Sequence, residues 1–172
     1  MSRYTRWAQR EHSFGVRIAA SLFAGVLFVI LLPLVIVWGG PLLDRSLGLQ
    51  GFRVGAVNYV LGGFLVLVGL FLGLWSVFAQ LTRGRGTPLP MLPTQELLTG
   101  GPFRYCRNPM TLGTILAYLG IGVIAGTAAG IGLVIGFGSL LLLYLRRVEE
   151  RELAERFGEA YLQYRREVPF LI

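Results

Sequence analysis

The chain contains no lysine, and it has only one cysteine and one histidine among its 172 residues. The single cysteine, Cys106, excludes an intramolecular disulfide, and we interpret it as a small packing residue rather than a nucleophile. The single histidine, His12, lies in an arginine-rich N-terminal segment. Without a cluster of cysteine and histidine residues, the sequence argues against a transition-metal site of the usual kind, so we predict no metal.

Charge is also scarce, and apolar residues dominate. Only 15% of the residues are charged, 54% are hydrophobic, and the mean hydropathy is +0.64. Crossing roughly 30 Å of hydrocarbon takes about 20 helical residues. Two apolar runs are long enough, residues 16–38 and 57–81. The composition therefore predicts an integral membrane protein and excludes an ordinary soluble domain.

A third apolar block, residues 110–145, contains no charged residue. Its 36 residues are too many for one ordinary span and barely enough for two short ones. We predict a tight helical hairpin that turns near residues 126–130, where glycines and other small residues permit a sharp reversal and close helix contact. One long tilted helix is the alternative.

The arginines are unevenly distributed along the chain. All sixteen basic residues are arginines, and only Arg45 and Arg53 lie between the first two apolar runs. The others lie in the N-terminal arm, in the loop at residues 82–109 and after the third block. The positive-inside rule makes these three segments cytoplasmic, which requires an even number of crossings and favours four spans. Orientation and anionic headgroups account for the net charge of +7, so we predict no nucleic-acid partner.

Two polar segments stand out from the apolar chain. The loop at residues 82–109 holds five of the eight prolines, which prevent one continuous helix. Interleaved apolar residues favour a loop packed on the protein, with one helical turn at residues 94–98 capped by Thr94. Residues 146–168 predict an amphipathic helix. Its apolar stripe consists of Leu153, Phe157, Tyr161, Tyr164 and Val168.

The predicted fold class is an all-α integral membrane protein with a single membrane domain over residues 1–172. It has about four transmembrane helices, namely two full spans plus a short helical hairpin, followed by a C-terminal amphipathic helix. Both termini are predicted to be cytoplasmic. A basic set made only of arginine indicates a GC-rich bacterial genome, so the predicted location is the bacterial inner membrane.

Five short motifs follow one another between residues 86 and 164. They are Gly86-Thr87-Pro88 with Pro90, Gly101-Pro102-Phe103-Arg104-Tyr105, Arg107-Asn108-Pro109, Glu149-Glu150, and Phe157-Gly158-Glu159 with Tyr161 and Tyr164. In this order and spacing they resemble the isoprenylcysteine carboxyl methyltransferase and phospholipid N-methyltransferase superfamily of integral membrane enzymes. The resemblance covers residues 58–169, about two thirds of the chain.

The resemblance implies an enzyme that transfers a methyl group from S-adenosylmethionine to a lipophilic acceptor at the cytoplasmic membrane face. It implies catalytic roles for Arg107, Asn108 and Glu150. Many members have histidine where Asn108 stands, and asparagine can hydrogen-bond but cannot act as a useful base. The implied cofactor-binding residues lie in the loop, at the start of the third apolar block and in the acidic pair: Phe103, Arg104, Tyr105, Arg107, Asn108, Pro109, Gly113, Glu149 and Glu150.

These residue types suit a zwitterionic cofactor. Arg104 or Arg107 can bind the methionyl carboxylate through two parallel hydrogen bonds. Glu149 or Glu150 can accept hydrogen bonds from the ammonium or the ribose hydroxyls and offset the sulfonium charge. The alternative role for the acidic pair is to bind loop arginines and tie the loop to the helix end. The groups that could line the adenine are Phe103, Tyr105 and Asn108.

Two other function classes stay open. An NADPH-dependent membrane reductase on a related scaffold could use the loop arginines to hold pyrophosphate. A non-enzymatic small membrane protein is the other, although the hairpin lacks the charged residues that mark a transport path. The acceptor is open as well: a phospholipid amine, a prenyl-cysteine-like carboxylate or a similar amphiphile. The oligomeric state cannot be read from the sequence.

Overall fold

The computed structural model describes residues 14–84 and 94–171, and all regular structure within these ranges is helical. Neither range contains a strand. Arg3, Arg6, Arg10, His12 and the Gly86-Thr87-Pro88 motif lie outside the described residues. The all-α fold class predicted from composition and periodicity is confirmed.

The first helix, α1, runs through residues 14–47 and ends at Gly48, whose left-handed backbone (φ 67°) terminates it. The stretches Val26–Leu31 and Val35–Gly39 are wound as wider π-helical turns. Pro33 lies between them, and it interrupts the regular ladder because proline has no N–H to donate. The helix extends beyond the predicted end at residue 38, since Asp44 in its last turns is buried against other helices.

Three more apolar helices follow: α2 (Ala56–Thr82), α3 (Pro109–Ala125) and α4 (Ala128–Phe157). Within the described ranges, α2, α4 and the Val26–Ser46 part of α1 are long and apolar enough to cross a membrane, whereas α3 has 17 residues. Only Gly126, left-handed at φ 63°, and Thr127 connect α3 to α4. Residues 110–145 thus form the predicted hairpin, and the single tilted helix is excluded.

Glycines hold α2 and α3 at backbone contact distance. A Cβ on Gly113 would lie 2.6 Å from the carbonyl oxygen of Gly69, and a Cβ on Gly62 would lie 2.6 Å from the carbonyl oxygen of Gly120. Because no larger residue fits at these positions, the glycines permit the two backbones to approach. The glycines of the hairpin therefore serve helix packing, and α2 is the partner of Gly113 and Gly120.

Buried polar side chains join the helix ends around the hairpin turn. Asp44 accepts a hydrogen bond from the Ala129 amide at 2.7 Å, at the N-terminus of α4. Asn58 donates to the carbonyl oxygens of Phe52 and Val123 at 3.1 and 2.7 Å. These bonds bring together the end of α1, the start of α2, the end of α3 and the start of α4. The four helices consequently alternate in direction.

The C-terminal residues pack on the opposite end of the bundle. Gly158, with a positive φ of 55°, separates α4 from a short helix α5 (Glu159–Glu167), so residues 146–168 are not one continuous helix. The predicted apolar stripe packs against Ala79 of α2 and Phe103 of the loop. The stripe therefore anchors the loop to the helices.

The described end of the loop at residues 82–109 is fixed to two helices. Residues 94–98 contain only a bend at residues 95 and 96, so the helical turn predicted at residues 94–98 is wrong. The carbonyl of Gly84, at the end of α2, accepts a hydrogen bond from the Gln95 amide at 2.7 Å. Arg156 of α4 donates to the carbonyl of Thr94 at 2.6 Å. These backbone contacts take the place of an internal helical turn.

Candidate functional site

Two buried residues anchor the loop before its polar residues begin. Gly101–Arg104 forms one 3₁₀ turn in which Pro102 and Phe103 are buried. The Tyr164 hydroxyl of α5 donates to the Phe103 carbonyl at 2.6 Å. Burial raises the pKa of the Tyr164 phenol, so this group remains a hydrogen-bond donor at neutral pH. The loop backbone is thereby held in one position relative to α5.

Arg107 and Glu150 form a buried ion pair that joins the loop to α4. Their side chains are only 11% and 8% exposed. Arg165 of α5 lies 3.7 Å from the second carboxylate oxygen of Glu150, and the Tyr161 hydroxyl accepts from Arg107 at 3.5 Å. An ion pair is tolerated away from water when further polar groups surround it in this way.

A change in helix winding positions the acidic pair. Leu145–Glu149 forms a wider π-helical turn immediately before Glu150, a feature common at functional sites. Glu150 is 6% exposed and faces Arg107, whereas Glu149 is half-buried. Within the described ranges, Glu149 makes no side-chain hydrogen bond or ion pair. The structure thus distinguishes the two glutamates that the sequence left equivalent.

Residues 168–171, which we call the C-terminal strap, cross the loop at the same place. The Pro169 carbonyl accepts from the Arg107 amide at 3.0 Å, and the Phe170 carbonyl accepts from the Asn108 side chain at 3.0 Å. The Phe170 ring lies 5.6 Å from the Arg107 guanidinium, a cation–π distance. Sequence reasoning missed the strap, because its only signal is a proline that follows extended Val168.

The residues of the loop between Phe103 and Arg107 differ in exposure. Arg104 and Tyr105 are exposed, and Cys106 is 3% exposed. Burial raises the pKa of the Cys106 thiol, so it stays neutral and fits the predicted packing role. No described residue pairs with the Arg104 side chain. Of the two candidate arginines, the structure brings only Arg107 to the acidic pair.

The remaining predicted residues lie at the start of α3. Pro109 is fully buried at the first position of the helix, where its missing N–H leaves no bond unmade. Gly113 lies one turn further and faces Gly69 and Gly73 of α2. Helix packing occupies the space beside Gly113, and a cofactor contact there stays a prediction.

Two buried polar atoms have no partner among the described residues, Arg107 Nε and Gln80 Oε1. Gln80 follows Ala79, which packs on Phe103, so both atoms lie at the loop end of the bundle. An unpaired buried donor or acceptor costs about 1–3 kcal/mol, so a group that pairs with either atom would be stabilised there. A donor on a cation would suit a carboxylate and an acceptor would suit an ammonium, and the amino-acid moiety of S-adenosylmethionine carries both groups.

Other features of the described surface are less suited to such a group. A shallow hollow along α2 is lined only by apolar residues, among them Val57 and Phe64. A second hollow on α1 is bordered by Trp38 and Arg45. Among the residues that the structure describes, no group of three or more histidine, cysteine or acidic residues could hold a metal ion. The Arg107–Glu150 pair and the loop around it therefore remain the candidate site.

A family model described as phospholipid methyltransferase matches residues 57–160. The match covers more than half of the chain and includes both Arg107 and Glu150. The chain belongs to the phospholipid methyltransferase family. Among curated proteins and among solved structures, nothing matches it. Membership of the phospholipid methyltransferase family confirms the resemblance seen in the motifs and implies a membrane methyltransferase that acts on a lipid-like substrate.

Proposed function

We propose that the protein transfers a methyl group from S-adenosylmethionine to an amphiphile of the bacterial inner membrane, at the cytoplasmic face. A phospholipid amine is the acceptor that the family description favours. The observation that carries the proposal is the buried Arg107–Glu150 pair, which joins two of the family-like motifs and leaves the Nε of Arg107 free among the described residues.

The chain's own residues have complementary parts in this proposal. Glu150 holds one side of the Arg107 guanidinium, and the free Nε edge would bind the methionyl carboxylate. Gln80 or Glu149 would accept hydrogen bonds from the ammonium. Asn108, held by the strap, would position the nucleoside. Phe103, Arg104, Tyr105, Pro109 and Gly113 stay predicted cofactor neighbours.

When bound, S-adenosylmethionine would supply an electrophilic methyl group on its sulfonium, and in-line attack by the acceptor would break the methyl–sulfur bond and leave S-adenosylhomocysteine. Alignment dominates the rate of such a reaction, because two well-oriented reactants gain a large effective concentration. The chain contributes rigidity through the bonds of Tyr164 to Phe103 and of Asn108 to the strap. Neither the buried neutral Cys106 nor Asn108 is suited to accept a proton. We therefore assign these residues to positioning and not to acid–base chemistry.

Methyl-labelled S-adenosylmethionine provides the test. Detergent-purified protein is incubated with the labelled compound and a bacterial polar lipid extract, and the lipids are then separated by chromatography. We expect label in a lipid fraction, and we expect excess S-adenosylhomocysteine to suppress it. Oxidation of NADPH by the same preparation without any label in lipid would contradict the proposal and support the reductase.

A further inference from the structure

The C-terminal strap leaves α5 in a direction that its first residues determine. Val168 is extended (φ −117°, ψ 129°) and packs with the apolar cluster that contains Phe103. Proline disfavours a helical conformation in the residue before it, and Pro169 is the next residue. The chain therefore does not continue α5 and crosses the loop instead. The family match ends at residue 160, so the strap lies outside it.

Phe170 makes two different contacts with the loop. Its backbone carbonyl accepts a hydrogen bond from the Asn108 side chain at 3.0 Å. The guanidinium carbon of Arg107 lies over its ring, 5.6 Å from the ring centroid. A cation within about 6 Å of an aromatic centroid is attracted to the ring face, and the attraction is stronger where water is excluded. The Arg107 side chain is only 11% exposed, so this contact is shielded from water.

The Phe170 ring holds the guanidinium of Arg107 without using any of its hydrogen-bond donors. Glu150 and Tyr161 both accept from Nη1 of Arg107. Nε of Arg107 has no partner among the described residues. A polar side chain in the place of Phe170 could accept a hydrogen bond from the guanidinium, whereas a phenyl ring has no oxygen or nitrogen acceptor. The ring therefore restrains Arg107 and leaves the Nε donor available for a ligand.

We propose that Phe170 is a positioning residue for the cofactor, because its ring orients the Arg107 guanidinium so that Nε faces the cofactor carboxylate. The inference rests on the proposed function, in which Arg107 binds the methionyl carboxylate. It extends the site beyond the residues that the family model matches, to the strap.

Substitutions that keep the Phe170 backbone carbonyl test the ring alone. Phe170→Leu keeps an apolar side chain but has no ring face, and Phe170→Tyr keeps the ring. Isothermal titration of S-adenosylhomocysteine into the detergent-purified full chain measures the affinity of each variant. We expect binding about three- to tenfold weaker in Phe170→Leu, because the cation–π contact is lost, and within about twofold of the parent in Phe170→Tyr.

Phe78→Leu is the matched control. Phe78 lies in α2 and is 66% exposed, so the same substitution is made away from Arg107. We expect the control to bind S-adenosylhomocysteine like the parent. Equal losses in Phe170→Leu and Phe170→Tyr, or a loss in Phe78→Leu as large as in Phe170→Leu, would overturn the inference. Tighter binding by Phe170→Leu would overturn it in favour of a strap that blocks the site.

Trifluorophenylalanine at residue 170 keeps the shape of the side chain and weakens the negative face of the ring. It therefore tests the contact even if Phe170→Leu does not fold. We expect this protein to unfold at the parent's temperature and to bind S-adenosylhomocysteine more weakly than the parent does. Binding as tight as that of the parent would show that the ring acts by packing alone, and would overturn the inference.

The NMR signal of the Arg107 Nε–H group, assigned by its loss in Arg107→Lys, reports the contact without any ligand. We expect the signal to shift more in Phe170→Leu than in Phe170→Tyr, because only leucine removes the ring. Unchanged affinity in Phe170→Leu, in a parent that binds S-adenosylhomocysteine, would overturn this inference alone. A folded parent that does not bind S-adenosylhomocysteine would contradict the proposed function, and the cofactor role of Phe170 with it.

Discussion

At the scale of single residues, Arg107 is where four parts of the chain meet. It pairs with Glu150 of α4, contacts Tyr161 of α5, and its amide donates to the strap at Pro169. Arg104, three residues earlier, is exposed and has no described partner. The two side chains are chemically identical. Replacing each in turn therefore compares a buried, paired arginine with an exposed one.

Arg107→Lys keeps the positive charge but loses the planar fork of donors. We expect this variant to remain folded and to bind S-adenosylhomocysteine at least about tenfold more weakly, because a charge-assisted hydrogen bond is lost. Arg104→Lys is the matched control and should change the affinity less than about twofold, as expected for an exposed side chain. Isothermal titration measures both, and equal losses in the two variants would refute the assignment to Arg107.

Cys106 tests whether this part of the loop is packed. Its thiol is buried and its pKa is raised, so the reactive thiolate should form only above the pH at which an ordinary cysteine ionises. We expect native protein to react with a thiol reagent much more slowly than denatured protein, and the rate to increase as the pH is raised. Absorbance with a disulfide reagent reports this rate. Rapid labelling of native protein at neutral pH would show that the residue is accessible.

At the scale of helices, the contact between α2 and α3 depends on glycines that face each other. Gly69 lies against the Gly113 carbonyl and the Ala117 amide, whereas a Cβ on Gly63 would meet nothing within 4 Å. Both glycines are in α2. They differ in the face of the helix that they occupy, and this makes them a matched pair.

Gly69→Ala should lower the free energy of unfolding by about 1–3 kcal/mol, because the added methyl group forces the backbones apart. Gly63→Ala should leave stability unchanged or raise it by about 0.5–1 kcal/mol, since alanine favours the helix. Thermal unfolding of the detergent-purified variants measures the difference. If Gly63→Ala lowered the free energy of unfolding as much as Gly69→Ala, the glycines would act through backbone flexibility and not through helix contact.

A second pair of variants tests whether the strap stabilises the loop. Asn108→Ala removes the half-buried hydrogen bond to Phe170 and should lower the free energy of unfolding by about 1 kcal/mol. Gln163→Ala removes an exposed hydrogen bond to Glu167 and should have almost no effect. Chemical denaturation in mixed micelles compares the two variants. Equal stabilities would show that the strap contributes nothing to holding the loop.

Local pattern predicted some elements well and others poorly. The hairpin turn was predictable because small residues at Gly126 and Thr127 interrupt a charge-free block. The end of α1 was not predictable from the sequence, because a charged residue such as Asp44 is typical of a loop. Only the structure shows that Asp44 is bonded to the start of α4. The break at Gly158 was also missed, since the apolar stripe continues across it.

The arrangement of the candidate site was predictable only in part. The family resemblance implied roles for Arg107, Asn108 and Glu150, and these roles stay predictions. That Arg107 rather than Arg104 lies beside Glu150 depends on the packing of α4 against the loop. The strap was invisible because it contributes backbone carbonyls, which every residue has. Contacts between segments far apart in the chain, rather than residue chemistry, account for what the sequence did not reveal.

At the scale of the whole molecule, the bundle has two polar ends with different chemistry. The hairpin-turn end holds Asp44 and Asn58, whose hydrogen bonds connect helices. The loop end holds the Arg107–Glu150 pair with its free donor. Arginine enrichment of the loop and C-terminal segments supports our proposal that the loop end is cytoplasmic, where S-adenosylmethionine would be available.

The most direct test of the account is calorimetric titration of S-adenosylhomocysteine into the detergent-purified protein, with NADPH as the parallel titration and Glu150→Gln as the variant. We predict specific binding of S-adenosylhomocysteine, no binding of NADPH, and a loss of at least about tenfold in affinity for Glu150→Gln with the fold retained. Binding of NADPH alone, or no binding of either compound to folded protein, would contradict the proposed methyltransferase function.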